Sequence, residues 1–280
     1  MELKVTRYAV DDAGVATVWL HRPERRNTWT GRMHDEYRWI CKQLDDDPAV
    51  RVIVLTGSGH TFSVGADPGA LTHYVEADHY DPALSPDAEN PGYGVRREFD
   101  TDMAWQLGLR VPMIAAVNGA CAGIAVALAA FCDLRFAVEG AKVTTATPKL
   151  GLPAEYGLSW ILPRLVGMTH AADIVLTGRV VLAEELGRMG FFNAVLPAED
   201  FARHVDDYAH MIASMSPTAV TTAKRQLWGD LLHDDPRAAI EESKALIGKL
   251  MNEPDYAEGV AAFMEKRSPR FTRPSERSDG

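Results

Sequence analysis

Residues 111–132, VPMIAAVNGACAGIAVALAAFC, contain no charged side chain, and their pattern decides the predicted fold. The Asn118-Gly119 pair is a strong turn signal and divides the stretch in two. We predict a short buried strand over 113–117 and a helix over 123–132 that is apolar on all sides. A helix that begins at a glycine turn directs unpaired backbone N–H groups, and the positive end of its dipole, at whatever lies there. Such a helix start can hold negative charge on a carbonyl oxygen, although a merely packed turn would have the same sequence.

A transmembrane helix is the alternative for an apolar stretch of this length. The composition disfavours it, because Pro112, an asparagine and two glycines interrupt the stretch and no second such segment exists in the sequence. The net charge of −10 argues against nucleic acid as the main partner. Cys41, Cys121 and Cys132 form no C-x-x-C pair, which favours a reducing compartment. Since the N-terminus also lacks the apolar core of a signal peptide, we predict a cytoplasmic protein with no membrane partner.

The order of predicted elements indicates an α/β protein with parallel strands. In the N-terminal part we predict strands at 3–10, 15–20, 52–55 and 134–138, a helix at 31–46, an extended segment at 142–147 and a loop at 148–159. In the C-terminal part we predict helices at 171–176, 183–189, 200–215, 217–232 and 240–251, and a final helical turn or two at 259–266. Residues 72–94 have weak periodicity and predict a long loop, either a binding element or a surface insertion.

Common catalytic motifs are absent from the sequence. It has no G-x-G-x-x-G after a strand, no G-x-x-x-x-G-K-[ST] and no G-x-S-x-G, and its histidines lack metal-ligand spacing, so no metal site is predicted. Two segments remain, at 60–67 and 117–125, and each is a glycine turn that follows a strand of the parallel type. Two such turns side by side could direct two backbone N–H groups at one oxygen. His60 lies beside the first turn, where a solvated loop histidine is the more common case.

Four segments, in this order, resemble signatures of the crotonase family, also called the enoyl-CoA hydratase/isomerase family. HRPERRN at 21–27 is similar to the family's N-terminal motif, and FSVGAD at 62–67 is similar to its F-S-A-G-A-D segment. Residues 117–133 resemble the family's N-G-x-x-x-G-x-G…C-D segment, and GVAAFMEKR at 259–267 resembles its C-terminal signature. The resemblance extends over nearly the whole chain.

The resemblance implies a crotonase-like spiral of ββα units, within the α/β class, followed by a helical C-terminal region through which trimers form. The implied domains are a core with the acyl-CoA site at 1–200 and the helical region at 201–280. Family trimers often pair into hexamers, so a homotrimer or a hexamer is implied. The implied substrate is a coenzyme A thioester, with no separate cofactor.

The family holds the thioester oxygen with two backbone N–H groups, and the matching motifs place these at Ala66 and Ile124. Proton removal beside a thioester creates an enolate, and one such donor is typically worth about 3–4 kcal/mol to the developing oxyanion. Ile124 stands where many members have glycine or alanine, so its branched side chain narrows the pocket. Hydration, isomerisation, decarboxylation and hydrolysis can all use this oxyanion hole, and the placed acid or base selects among them.

The resemblance also implies contacts to coenzyme A. Backbone near Val64 would contact the adenine, while Phe263 and Lys266 resemble a C-terminal pair that reaches coenzyme A, often from a neighbouring subunit. Arg26 in the N-terminal motif is a candidate partner for phosphate. A solvated surface cation is the alternative for both basic residues.

Both glutamates of the standard hydratase are replaced, since their positions fall on Ala127 and Thr147. Neither side chain can usefully exchange a proton, so the two-carboxylate addition of water does not carry over. Glu155, in GLPAEYGLSW at 151–160, lies where some members with other chemistry place a catalytic carboxylate. We hypothesise that Glu155 is the acid or base; the alternative is a carboxylate that caps the following helix.

Two further residues belong to the predicted site. Tyr156 either donates a hydrogen bond or lines the acyl pocket. Asp67 is grouped with the substrate-binding residues, although capping of the following helix is favoured over chemistry.

Three functions are consistent with these residues. The first is an acyl-CoA enzyme of the enoyl-CoA hydratase/isomerase type, in which a one-base isomerase fits a single carboxylate better than hydration does. The second is a hydrolase of thioester or carbon–carbon bonds that uses Glu155. The third is a family member that binds acyl-CoA without catalysis.

Overall fold

The computed structural model describes residues 1–69, 72, 97–232 and 234–271. Its strands are β1 (Thr6–Val10), β2 (Val15–Leu20), β3 (Val52–Gly57), β4 (Thr61–Ser63), β5 (Met113–Val117), β6 (Ala120–Ala122), β7 (Leu134–Val138), β8 (Lys142–Thr144), β9 (Val181–Leu182) and β10 (Ala194–Leu196). Its helices are α1 (Gly31–Asp46), α2 (Trp105–Gly108), α3 (Ile124–Ala130), α4 (Leu158–Thr177), α5 (Ala183–Arg188), α6 (Ala198–Ala213), α7 (Pro217–Asp230), α8 (Pro236–Leu250) and α9 (Pro254–Glu265). Short 3₁₀ turns cover Pro23–Arg25, Arg97–Phe99 and Thr147–Leu150.

The strands form a six-stranded sheet in the order β1-β2-β3-β5-β7-β10 and a four-stranded sheet in the order β4-β6-β8-β9. Three successive strand pairs, β3–β4, β5–β6 and β7–β8, each place one strand in the larger sheet and the next in the smaller one. Neighbouring strands from successive pairs are parallel in both sheets. The chain therefore advances by one strand in each sheet at every step, and α3 follows the second pair. The predicted α/β class with parallel strands is confirmed.

The helix predicted at 31–46 matches α1 to the residue. Met33, Tyr37, Ile40 and Leu44 recur every three or four residues and are all buried, so one face of the helix packs on the core. The side chain of Thr30 accepts a hydrogen bond from the backbone N–H of Met33 at 3.2 Å, which caps the first turn.

The apolar helix predicted after Asn118-Gly119 is α3. All seven of its residues are at most 5% exposed. Its alanines allow neighbouring elements to approach closely, in keeping with the dense packing of protein interiors. Within the described residues, no helix combines the length and the hydropathy needed to cross a membrane.

A buried ion pair joins the C-terminal helices to the core. The ammonium of Lys224 on α7 lies 2.8 Å from the carboxylate of Asp133, at the start of β7. It also donates to the carbonyls of Gln106 and Val111, at 3.1 and 2.9 Å. Trp228 donates its indole N–H to the same carboxylate at 2.6 Å. Because these partners satisfy one another, α7 is held in one position against the strand β7 and the residues before β5.

Several elements differ from the prediction. The strands β4, β6, β9 and β10 were not predicted, because segments of two or three residues have no measurable periodicity. The helix α4 is much longer than the predicted 171–176 and begins inside the predicted loop 148–159. Pro163 and the non-helical Gly167, at φ 75° and ψ 159°, interrupt it and hid its pattern. The last helix, α9, begins at Pro254 rather than 259.

Other predictions stay predictions. Apart from Thr72, the predicted loop at 72–94 lies outside the described residues. The domain boundary at residue 200 and the trimer are likewise untested.

Candidate active site

Two glycine turns lie against each other beyond the ends of β4 and β6. Gly65 has φ +89° and Gly123 has φ +55°, conformations that glycine adopts without strain. A Cβ on Gly65 would lie 2.9 Å from the carbonyl oxygen of Ala122, and one on Gly123 would lie 3.7 Å from the Cα of Gly65. The turns that the sequence singled out are therefore in direct backbone contact.

Asn118 joins the turn between β5 and β6 to the turn between β3 and β4. Its side-chain amide donates to the carbonyls of Gly57 and Gly59, at 2.7 and 2.9 Å, and its oxygen accepts from the N–H of Gly57 at 3.2 Å. A Cβ on Gly119 would lie only 2.1 Å from the carbonyl oxygen of His60, so the backbones touch there as well. The His60 side chain is exposed. The Asn-Gly pair thus joins two elements in addition to turning the chain.

Asn27 fixes the same turn from the N-terminal motif. Its side chain is fully buried and donates to the carbonyls of Ser58 and Thr61, at 3.0 and 2.7 Å. Its oxygen accepts from the backbone N–H of Arg22 at 2.9 Å. A side chain that satisfies three backbone groups at once makes the turn rigid.

The backbone N–H of Ala66 is left without a partner by the pairing around it. Trp29 donates its N–H to the carbonyl of Gly65 at 2.8 Å, and its carbonyl accepts from the N–H of Asp67 at 2.9 Å. Because backbone groups alternate in direction along an extended segment, the N–H of Ala66 points to the opposite side. No acceptor among the described residues takes it.

The N–H of Ile124 is the first of α3. Its neighbour Gly123 donates to the carbonyl of Thr144 at 2.9 Å, whereas the N–H of Ile124 has no acceptor in the described part of the chain. The first N–H groups of a helix have no partner inside the helix. The two predicted donors therefore lie on adjoining turns, and neither N–H has an acceptor among the described residues.

Asp67 links the first turn to the N-terminal motif. One carboxylate oxygen accepts from Arg22 at 3.0 Å and from the hydroxyl of Thr28 at 2.9 Å, and the other accepts from the N–H of Gly69 at 3.0 Å. Burial alone would raise the pKa of Asp67, but these hydrogen bonds and the charge of Arg22 lower it below the ordinary value. A carboxylate with all these partners positions the turn, and a role in proton transfer is disfavoured.

The two positions that hold glutamates in the standard hydratase carry side chains here that do not ionise. Ala127 is fully buried within α3, and Thr147 is 2% exposed in the turn after β8. The hydroxyl of Thr147 has no hydrogen-bond partner within the described residues. A buried hydroxyl without a partner costs about 1–3 kcal/mol, so this position adds no stability through its polar group.

Glu155 lies on the wall of a cavity of about 830 Å³. Burial raises the pKa of its carboxyl, and no described charge or hydrogen bond offsets that effect. The carboxylate makes no capping bond to α4, whose first turn follows Gly157 without any side-chain cap. Glu98 and Asp102 line the same cavity; Glu98 is exposed, and the side chain of Asp102 is 44% exposed.

The backbone beside Glu155 is left-handed at two consecutive residues. Tyr156 has φ 49°, which is rare for a residue with a side chain, and Gly157 has φ 76°. A Cβ on Gly157 would lie 3.1 Å from the ring of Phe131, the residue that follows α3. Strained backbone of this kind is typical of functional loops. The side chain of Tyr156 lines the cavity, as one of its two predicted roles requires.

The residues predicted to bind coenzyme A divide into two groups. Val64 donates its N–H to the carbonyl of Arg26 at 3.3 Å, and the Arg26 side chain is exposed, so this pair lies beside the first turn. Phe263, at 81% exposed, and Lys266 lie at the end of α9, and neither lines the cavity beside Glu155. Val64 and Arg26 therefore lie beside the first turn, and none of the four residues lines the cavity beside Glu155.

Some site residues were missed by sequence reasoning. The basic residues of HRPERRN suggested phosphate contacts, yet Arg22 is the one that pairs with Asp67. Trp160 and Leu232 line the cavity from α4 and from the end of α7, more than 70 positions apart in sequence. The signal for Arg22 was its place in a matched motif. Trp160 stands at the end of the segment that contains Glu155, whereas Leu232 has no such signal.

The three cysteines are buried and unpaired. Burial, with the nearby Asp133 charge, raises the pKa of the Cys132 thiol to about 12, so it is not a thiolate at neutral pH. The part of the chain that the structure describes contains no group of three His, Cys, Asp or Glu side chains arranged to hold a metal ion.

Comparisons with a family model, with protein sequences and with solved structures all indicate the same family. The family model described as Enoyl-CoA hydratase/isomerase matches residues 11–274. A probable enoyl-CoA hydratase of Mycobacterium bovis is 31% identical over 261 residues, covering 93% of this chain and 95% of that protein. The 1,2-epoxyphenylacetyl-CoA isomerase of Escherichia coli is 32% identical over 263 residues, covering 93% and 96%. A crystal structure of a probable enoyl-CoA hydratase/isomerase from Mycobacterium abscessus aligns with a TM-score of 0.82 at 33% identity, over 95% and 98% of the two chains.

Proposed function

The chain belongs to the enoyl-CoA hydratase/isomerase family, and from that premise we propose that it is an acyl-CoA isomerase in which Glu155 moves a proton. The observation that carries the proposal is the half-buried Glu155 carboxyl on the cavity wall, with a raised pKa, while Ala127 and Thr147 occupy the hydratase positions. Hydration needs one group to activate water and another to deliver a proton, whereas isomerisation needs a single group.

In the proposed reaction, the carboxylate of Glu155 removes a proton from the α carbon of a 3-enoyl thioester. The electron pair moves onto the thioester oxygen, which accepts hydrogen bonds from the N–H groups of Ala66 and Ile124. Each such donor contributes about 3–4 kcal/mol to a developing oxyanion. The protonated Glu155 then returns the proton to the γ carbon, and the double bond moves into conjugation with the thioester. No water is consumed, and the carboxylate is regenerated.

The environment of Glu155 supports this role. A carboxylate whose pKa is raised by burial is a stronger base than one in water, which favours removal of a weakly acidic proton. The Escherichia coli relative, whose name describes an isomerase of a CoA thioester, is consistent with an isomerase among similar proteins. The relatives named as probable hydratases keep water addition as an outcome that the assay must test.

Coenzyme A binding and assembly complete the proposal. Arg26 and the backbone of Val64 would receive the nucleotide end beside the first turn, while Phe263 and Lys266 would reach it from a neighbouring subunit of a homotrimer or hexamer. The large exposed fraction of Phe263 supports a partner over that surface. No cofactor besides the thioester substrate is proposed, and a cytoplasmic location fits the sequence.

The test is an assay on a 3-enoyl-CoA and on crotonyl-CoA that follows conjugated-thioester absorbance and free thiol. Gain of conjugation from the 3-enoyl ester is expected; loss of conjugation from crotonyl-CoA would indicate hydration, and thiol release would indicate hydrolysis. Glu155→Gln should lower turnover by about 10²–10⁴-fold with thioester binding retained. Glu139→Gln, an exposed carboxylate outside the site, is the matched control. Unchanged turnover in Glu155→Gln would remove this residue from the mechanism.

A further inference from the structure

The cavity beside Glu155 is much larger than a short acyl group. At about 30 Å³ for each water-sized group, its volume of about 830 Å³ holds roughly 25 to 30 such groups. A butyryl or crotonyl group would fill less than about a quarter of that space. None of the described residues lining it comes from the two oxyanion turns. Because Glu155 on its wall is the proposed base at the α carbon, the space would lie on the acyl side of the thioester, beyond the carbonyl.

The walls of the cavity are aromatic and held in place. Phe131 is 3% exposed and lies against Gly157, so its ring has little freedom to move. The ring of Trp160 is covered by the guanidinium of Arg164, 4.0 Å from the ring centroid. Phe99 and Tyr156 add two more rings to the wall. Flat, fixed aromatic surfaces stack on other rings more favourably than on flexible chains, because little freedom is lost on binding.

The charges around the cavity have one sign. Glu98, Asp102 and Glu155 line it, and no described lysine or arginine does. Among the described lining residues, an acyl group with a second carboxylate would therefore meet charged groups of its own sign alone, in a partly desolvated space where repulsion is stronger than in water. This distribution of charge disfavours acidic acyl groups.

We propose that the acyl group bound beside Glu155 is bulky, uncharged and ring-bearing, and that Trp160 determines this specificity. The inference rests on the proposed acyl-CoA function and goes beyond it by naming the class of acyl group. A short linear group would leave the aromatic walls uncovered, and a dicarboxylic acyl group would be repelled.

The test is calorimetric titration of the full-length protein with thioesters that the proposed isomerisation does not convert into products: acetyl-CoA, butyryl-CoA, octanoyl-CoA, phenylacetyl-CoA and succinyl-CoA. Phenylacetyl-CoA should bind at least about tenfold more tightly than butyryl-CoA, as expected for burial of a ring. It should also bind more tightly than octanoyl-CoA, which has the same number of acyl carbons. Succinyl-CoA should bind more weakly than butyryl-CoA.

Other results of the titration separate failure of this inference from failure of the proposed function. Equal affinity for all five esters, tighter binding of octanoyl-CoA than of phenylacetyl-CoA, or succinyl-CoA binding as well as butyryl-CoA would overturn the inference and leave the acyl-CoA function in place. If no ester binds, acetyl-CoA included, the proposed function itself fails, and the inference fails with it.

Two variants assign the specificity to the cavity. Trp160→Ala should reduce the preference for phenylacetyl-CoA over butyryl-CoA by about tenfold with acetyl-CoA affinity unchanged. Trp19→Ala is the matched control, since Trp19 is also half-buried and covered by an arginine, Arg7, but lies on β2 outside the cavity. Leu232→Trp, which fills the cavity from another wall, should weaken phenylacetyl-CoA selectively and does not depend on the folding of the first variant. An unchanged preference in both cavity variants would contradict the assignment.

Discussion

The two halves of the candidate site are built in different ways. The half proposed to hold the oxyanion consists of backbone: Gly65 and Gly123 bring two chain segments together, and the N–H groups of the next residues have no acceptor among the described residues. The acyl half consists of side chains, with Glu155 and Trp160 on a wide cavity. A backbone site tolerates changes of side chain, since any residue at position 124 except proline offers the same N–H, whereas a side-chain site changes its chemistry with each substitution. Under the proposed function, the backbone half stabilises the enolate, and the side-chain half selects the reaction and the acyl group.

The backbone half should be the more sensitive to a single methyl group. Gly65→Ala places a Cβ 2.9 Å from a backbone oxygen at φ +89°, so the turn must move and its donor with it. We expect turnover to fall by about 10²–10³-fold, as on loss of one oxyanion donor. Gly140→Ala is the control, because Gly140 also has a positive φ, +73°, but nothing lies within 4 Å of its added Cβ. Equal activity of the two variants would show that the close approach at Gly65 is not needed.

The difference between the two halves also explains which elements could be predicted from the sequence. Strands at 15–20, 113–117 and 134–138 and the helix at 31–46 match their predictions to the residue, because each carries a complete hydrophobic pattern. The three-residue strands β4 and β6 have no such pattern and were not predicted, although the motifs identified the turns that follow them.

The acyl half was less predictable for a physical reason. Its walls come from segments distant in sequence, Phe131 after α3, Trp160 on α4 and Leu232 after α7, and only the folded chain brings them together. The left-handed conformation of Tyr156 likewise has no local sequence signal, since residues with side chains rarely adopt it. Glu155 itself could be singled out only by its offset from Gly151 in a matched segment.

The activity that depends on Glu155, in the side-chain half, should change with pH. Because burial raises the pKa of Glu155 and the carboxylate is the proposed base, kcat/KM should fall tenfold per pH unit below that pKa. The acidic limb of the profile should therefore lie at a higher pH than for an ordinary glutamate. The limb should disappear from the residual activity of Glu155→Gln. A limb at the ordinary glutamate value, or one that survives in that variant, would assign the titration to another group.

The smallest effect is expected at Thr147, the position that corresponds to a glutamate of the standard hydratase. Thr147→Val keeps the shape of the side chain and removes a buried hydroxyl that has no partner within the described residues. We expect the free energy of unfolding to rise by about 1 kcal/mol, with turnover unchanged, as measured by urea denaturation and the isomerase assay. A large loss of turnover would place Thr147 in the reaction.

Proton exchange at the α carbon is the most direct measure of the central claim, that two backbone N–H groups hold a thioester oxygen while Glu155 takes the proton. Butyryl-CoA incubated in D₂O with the wild-type protein should gain deuterium at the α carbon, as followed by mass spectrometry. The Glu155→Gln variant should bind the thioester without exchange. Exchange at the wild-type rate in Glu155→Gln, or none in the wild type with the thioester bound, would contradict the claim.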